Sequence, residues 1–171
     1  HFLPAPSYRL HHALGLPKRA LALDLTLGCS GFVTGLWTAS SLLPSLAGAR
    51  ALLVVGATTT RLIDPQDRTV APLFGDAAAA IALEATETAP PMLFDLGSDG
   101  AGAPYLAVPG GALRAMAAEP RLFMDGTQVF AFTLREVPAS LRTVLDGAGW
   151  SVDDLDQLVL HQANAQMMRH L

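Results

Sequence analysis

Residues 20–32 read ALALDLTLGCSGF, and the break in that stretch at Gly28-Cys29-Ser30-Gly31 decides the fold class. The run Ala20–Leu27 is nearly continuous in apolar residues, which suits a strand buried on both faces. Phe32–Leu46 is apolar almost all round, the pattern of a helix enclosed by a large fold. Ala49–Ala57 (ARALLVVGA) reads as a second buried strand. Strand, tight turn, helix and strand in that order predict a βαβ unit and an α/β protein. Cys29 falls where the helix begins. A helix N-terminus lowers a thiol's pKa through its dipole and free N–H groups, and the same groups suit a thioester oxyanion. Cys29 is therefore a candidate nucleophile, although a free Cys is also at home as a small buried hydrophobe. Gly28 and Gly31 are read as permitting the tight turn and the approach of a substrate to the backbone. Ser30 has capping or packing as its default role.

Upstream, Phe2–Ala13 reads as a Pro-punctuated loop running into a short helix closed by Gly15 and Pro17. Downstream, Asp64-Pro65-Gln66-Asp67-Arg68 is a polar turn. Leu73–Ala85 and Met92–Leu96 read as strands, with small residues where neighbours must approach closely. Ser98–Gly111 is a Gly- and Pro-rich loop. Phe130, Leu134, Val137, Leu141 and Val144 recur at helical spacing between Thr127 and Asp146, and Pro138 is expected to kink or split that helix. Ser151 and Asp154 form a capping-box pattern with Asp in place of Glu. Leu155–Leu160 reads as a short strand that delivers His161 at its C-terminal end, where open α/β sheets face their ligands. His161 is the candidate partner of Cys29, or else a structural His held by a backbone carbonyl. His11, His12 and His170 are assigned to surface or helix faces. No metal-ligand spacing is present.

The 171 residues are 51% hydrophobic and only 15% charged, against about 25% charged in ordinary globular chains. Such a chain is expected to bury much of its length, and disorder is excluded. A net charge of −4 from 11 basic and 15 acidic residues argues against a nucleic-acid partner. The longest apolar stretches are interrupted or fall short of the ~20 residues a membrane span needs. A single Cys makes no internal disulfide, which fits a reducing cytoplasm. The chain starts at His1 and its last residues begin a helical run without a breaker, so it is read as a piece of a longer protein.

Five segments then occur in order: Asp24-Leu-Thr-Leu-Gly-Cys29-Ser-Gly-Phe32, Asp64-Pro-Gln-Asp-Arg68, Leu73-Phe-Gly-Asp76, Met124-Asp-Gly-Thr-Gln-Val-Phe130 and His161-Gln-Ala-Asn164. Together they resemble β-ketoacyl-acyl-carrier-protein synthase III over essentially the whole chain. The resemblance implies a thiolase-like layered αβαβα fold of two duplicated halves, only partly covered here. Residues 1–90 would finish the half carrying Cys29, and residues 91–171 would begin the half carrying His161. It implies an acyltransferase in which Cys29 takes an acyl group from an acyl-CoA. His161 then helps malonyl-acyl-carrier protein lose CO₂, and the resulting carbanion attacks the thioester to start an acyl chain. Arg68 matches a position that contacts the adenine end of CoA, or is a solvated turn Arg. Asn164 shapes the site, Phe32 is a substrate-binding position just after the nucleophile turn, and Leu3 matches a dimer-interface position lining the partner's acyl pocket. Acyl-CoA and acyl-carrier protein are the implied partners, with a cytoplasmic homodimer and no cofactor.

The departures are informative. The family's third catalytic residue, an Asn well downstream of the His, lies beyond these 171 residues, so the piece alone is expected to be inactive. Gly75-Asp76-Ala77-Ala78-Ala79 replaces a more glycine-rich pattern. Gln166 stands where a basic residue is common, which weakens ordinary carrier-protein docking. A non-decarboxylating acyltransferase of the same fold and a non-catalytic thiolase-fold subunit remain as alternatives.

Overall fold

In a computed structural model of the chain, residues 3–46, 48–109 and 120–171 are described, with the backbone pairing of 111–112 and 115–116. Phe2, at the head of the expected N-terminal loop, and Gly110, in the expected Gly/Pro-rich loop, lie outside the described residues. The apolar run after Ala49 becomes β1 (Arg50–Thr58), and the small-residue run after Gly75 becomes β2 (Asp76–Glu84). They pair antiparallel in unbroken register from Arg50↔Glu84 to Thr58↔Asp76. The small residues have a steric reason. A Cβ on Gly56 would stand 2.8 Å from the Ala78 Cβ and 3.1 Å from the Ala77 carbonyl oxygen.

Two helices belong to this first part. α1 (Pro6–Ala13) opens with Pro at its first position, which suits a donor-free N-terminus. It is closed at Gly15, whose φ of 61° is left-handed. The Asp24 carboxylate accepts the Ser7 N–H at 2.9 Å, holding the start of α1 against the segment that leads to Cys29. α2 (Gly31–Leu42) runs from the Cys29 turn and continues into a 3-10 turn, Leu43–Ser45. It packs on β1 where Gly35 meets Leu53. A Cβ there would sit 2.7 Å from the Leu53 Cδ1.

Between β2 and the next long helix lie a 3-10 turn at Gly100–Tyr105 and four two-residue strands. These are β3 (Leu106–Ala107), β4 (Gly111–Ala112), β5 (Ala115–Met116) and β6 (Phe123–Met124), with β3 paired to β6 and β4 to β5, all antiparallel. α3 (Gly126–Ala148) follows, capped by Asp125, whose carboxylate accepts the Gln128 N–H, and ended by Gly149 in the left-handed region. Pro138 neither splits nor ends it: the helix runs unbroken through the proline. Proline removes one i→i−4 bond, and twenty-three residues of amphipathic helix packed along one side outweigh that loss. The Ser151–Asp154 pattern is realised, with the Ser151 N–H and hydroxyl both donating to the Asp154 carboxylate at 2.8 Å. It caps a 3-10 turn, Val152–Asp154. α4 (Ala165–Met168) lies beside α3, where the Phe130 and His170 rings meet edge to face at 5.6 Å.

Three expected strands form no ladder among the described residues. Ala20–Leu27, Met92–Leu96 and Leu155–Leu160 are unpaired. So β1 is antiparallel to β2, and the parallel partner expected for a βαβ unit is not present among these residues. The helix expected to be enclosed is likewise open: in α2 only Gly35 is buried, and Trp37 is 42% exposed. The physical reason is missing cover. The chain exposes 13298 Å², whereas a compact monomer of its 17.9 kDa mass exposes about 8,000 Å². The buried core is small and scattered: Leu43, Ile63, Val70, Leu145 and Met167.

Candidate active site

The turn at Cys29 is closed by the Gly31 N–H donating to the Gly28 carbonyl at 2.8 Å, and the first helical bond runs from the Thr34 N–H to the Ser30 carbonyl. Among the described residues this leaves the N–H groups of Cys29, Ser30, Phe32 and Val33 without a protein acceptor. Cys29 is exposed beside them. An exposed thiol in a nest of free amide donors at a helix start can attack a carbonyl whose oxygen those donors receive. Ser30 sits at the cap position but its hydroxyl makes no cap bond. Neither Gly28 nor Gly31 needs a positive φ. Their value is space: a Cβ on Gly28 would meet nothing within 4 Å, and one on Gly31 only the Leu27 Cβ at 3.8 Å. The backbone is thus open to a substrate, as read from the sequence, while the turn itself does not demand glycine.

Phe32, the second residue of α2, lies three residues past Cys29 and is 45% exposed. His161 is exposed, in the short link between Leu160 and α4. Asn164 caps α4, its side-chain oxygen accepting the Met167 N–H at 2.8 Å. That bond fixes the Ala163-Asn164 backbone just after His161. Arg68 is exposed in the 64–70 turn. Leu3 is 89% exposed. No hydrogen bond joins any two of these six side chains, so the described residues hold the candidate nucleophile and candidate His as separate, open positions. His11, on α1, donates to the Pro17 carbonyl, and His170, exposed in the turn after α4, donates to the Gln166 carbonyl, in keeping with the surface or helix-face positions expected.

Three polar residues matter more than their sequence reading gave. Asp24 holds α1, as above. Asp76 accepts both the N–H and the hydroxyl of Thr60, at 2.9 and 2.7 Å. The Thr60 hydroxyl first, then its N–H and the nearby Arg61 charge, hold the Asp76 carboxyl below its ordinary range. Arg121 reaches the Ile63 carbonyl at 3.2 Å, while the Leu122 N–H reaches the Leu62 carbonyl at 2.8 Å. Those two bonds tie the β1–β2 connection to the strand ahead of α3. A lone Asp inside the apolar run 20–27 was the available signal for Asp24, since an acid there needs a dedicated donor.

A family model described as 3-oxoacyl-[acyl-carrier-protein (ACP)] synthase III matches residues 23–104, a stretch that includes Cys29 and Arg68. The family the chain matches is β-ketoacyl-acyl-carrier-protein synthase III. A synthase III from Streptomyces coelicolor is 41% identical over 160 residues, covering 88% of this chain and 48% of the relative. A crystal structure of a 3-oxoacyl-(acyl-carrier-protein) synthase III superposes with a TM-score of 0.91 at 37% identity, over 99% of this chain and 56% of that one. The priming β-ketosynthase of the R1128 polyketide pathway superposes with a TM-score of 0.86 at 30% identity, over 99% and 52%. The fold is thus the thiolase-like α/β fold expected from the synthase III resemblance. The chain spans about half the length of the curated relatives it matches.

Proposed function

We propose that this chain supplies the Cys- and His-bearing part of a decarboxylating β-ketoacyl synthase that starts acyl chains. The observation that carries the reading is Cys29, exposed at the start of α2 beside free amide donors, within the stretch that matches synthase III. The Cys29 sulfur attacks the thioester carbonyl of an acyl-CoA, the amide donors receive the oxyanion, and CoA leaves as a thiol. Malonyl-acyl-carrier protein then loses CO₂. The electron pair of the broken C–C bond becomes an enolate, whose oxygen accepts a hydrogen bond from His161. The enolate carbon attacks the acyl-Cys29 carbonyl, and the Cys29 thiol is the leaving group. The Cys29 sulfur supplies the electron pair of the first step and the broken malonyl C–C bond that of the second, so the route calls for no cofactor.

Residues 1–90 belong to the half that carries Cys29 and residues 91–171 to the half that carries His161. The excess exposed surface supports further polypeptide over both: roughly 5,000 Å² more than a compact monomer shows. A second copy in a homodimer accounts for only part of that, since a standard interface buries about 800 Å² per partner. Leu3, 89% exposed, fits the dimer contact. Among the described residues no helix is long and apolar enough to cross a membrane, in keeping with a cytoplasmic enzyme acting on carrier-bound substrates. The likeness to a polyketide priming synthase and Gln166, where a basic docking residue is common, support a second reading: the same reaction with a carrier of secondary metabolism as acceptor. Release of CO₂ from malonyl-carrier that depends on acyl-CoA tests the reaction. An acyl transfer to an alcohol or amine without CO₂ would replace it with the non-decarboxylating alternative.

A further inference from the structure

We infer that Asp76 is a positioning residue, whose carboxylate, bonded to Thr60 at the base of the loop 59–75, sets the orientation in which Arg68 meets an acyl-CoA. The inference rests on Arg68 being the residue that contacts the adenine end of CoA, as the synthase III resemblance implies. Thr58 and Asp76 are the last register pair of β1 and β2, so residues 59–75 leave and re-enter the sheet at one point. At that point each oxygen of the Asp76 carboxylate holds a different donor of Thr60. Two bonds onto one residue fix its direction as well as its distance.

Past that base the loop is a stiff unit. Ile63 and Val70, 6% and 2% exposed, anchor its two arms, and the Leu122 and Arg121 bonds hold its first arm. Within the turn, Asp64 accepts the Gln66 N–H at 2.9 Å, and Asp67 accepts the Thr69 N–H and hydroxyl at 2.8 and 2.6 Å. The Asp67 N–H donates to the Asp64 carbonyl at 3.0 Å. Both acids of the turn are therefore taken up by donors of the turn. Arg68 stands outside, exposed and without a side-chain hydrogen bond or ion pair among the described residues. Its charge is free for a phosphate-bearing or adenine-bearing ligand. The stiff turn is held at the Asp76–Thr60 base and at the Leu122 and Arg121 bonds, so loosening the base lets it tilt as a body about the second hold. Loss of the Asp76–Thr60 bonds shifts Arg68 without disordering the turn or reaching Cys29.

The test compares kcat/KM for two acyl donors, an acyl-CoA and the corresponding acyl-pantetheine thioester without the nucleotide, in the natural gene product that carries these residues. Arg68→Ala, Asp76→Ala, Asp76→Asn and Thr60→Val are measured beside the parent. Arg68→Ala and Asp76→Ala each lower the ratio of acyl-CoA to acyl-pantetheine kcat/KM by on the order of tenfold, through KM, as misplacement of a binding group does. Asp76→Asn keeps an acceptor for the Thr60 N–H and recovers part of the ratio, with Thr60→Val between. An unchanged ratio in the Asp76 variants, beside a lowered ratio in Arg68→Ala, refutes the inference and leaves the Arg68 reading intact. An unchanged ratio in Arg68→Ala refutes both. Should Asp76→Ala fail to fold, the near-isosteric Asn and Val variants decide the question.

Discussion

Gly56→Ala is expected to loosen the β1–β2 ladder. The new methyl would lie 2.8 Å from the Ala78 Cβ, 3.1 Å from the Ala77 oxygen and 3.3 Å from the Ala78 Cα. Carbon atoms prefer about 3.5–4.0 Å, and none of the obstructing atoms is the end of a flexible side chain. The strands must part by several tenths of an ångström in mid-ladder. Overpacking of this kind costs about 1–3 kcal/mol, while Gly→Ala returns about 0.4–1 kcal/mol by narrowing the unfolded ensemble. The net is centred on about 1 kcal/mol of destabilisation, or about 2–4 °C in thermal midpoint for a chain of this size. Thermal unfolding followed by circular dichroism reads it. Adding Ala78→Gly should remove the clash, so that Gly56→Ala costs little in that background, a coupling expected between touching residues. Gly28→Ala is the contrast: its Cβ meets nothing within 4 Å and its φ is not positive, so its midpoint should equal or exceed the parent's. A Gly56→Ala protein as stable as the parent, or a loss unaffected by Ala78→Gly, would refute the packing argument.

Asn164→Ala removes the α4 cap and should cost about 1 kcal/mol, about 2–4 °C in midpoint. Asn164→Asp retains an acceptor and most of the stability, and an unaltered midpoint in the Ala variant would show that the cap carries nothing. In acid the sign follows from the Asp154 carboxyl, which the Ser151 N–H and then its hydroxyl hold below the ordinary value of 3.8. The unfolded state therefore binds protons first as the pH falls. Its contribution is complete above about pH 4 and disappears as the pH drops through the depressed folded value. Urea midpoints across that range should fall less steeply in Asp154→Asn, and parallel slopes would reject the linkage.

Short-range chemistry was the part of this protein legible in its sequence. The Gly28–Gly31 break before an apolar helix, the Ser151–Asp154 cap and the helical spacing of α3 each depend on residues within a turn of one another. Ladders do not. Ala20–Leu27 and Leu155–Leu160 carry a strand's composition, yet a strand needs a neighbour, and no described segment pairs with either in a ladder. The exposed Leu21, Leu23, Leu25 and Leu27 show how far that composition looks beyond this surface. Pro138 misled for a related reason, since its local penalty is visible in sequence and the packing that absorbs it is not. The candidate site divides in the same way. Cys29 and His161 stood out by their positions at element ends. Asp76 is visible in the sequence only as part of a motif, because its partner Thr60 lies sixteen residues away and nothing local announces the pair.

Intact-mass spectrometry of the natural gene product, before and after mixing with short acyl-CoAs, tests the central claim most directly. The account predicts one added acyl group on the parent protein and none on Cys29→Ala. A folded parent that gains no acyl group, or a Cys29→Ala protein that gains one, would contradict Cys29 as the acyl acceptor.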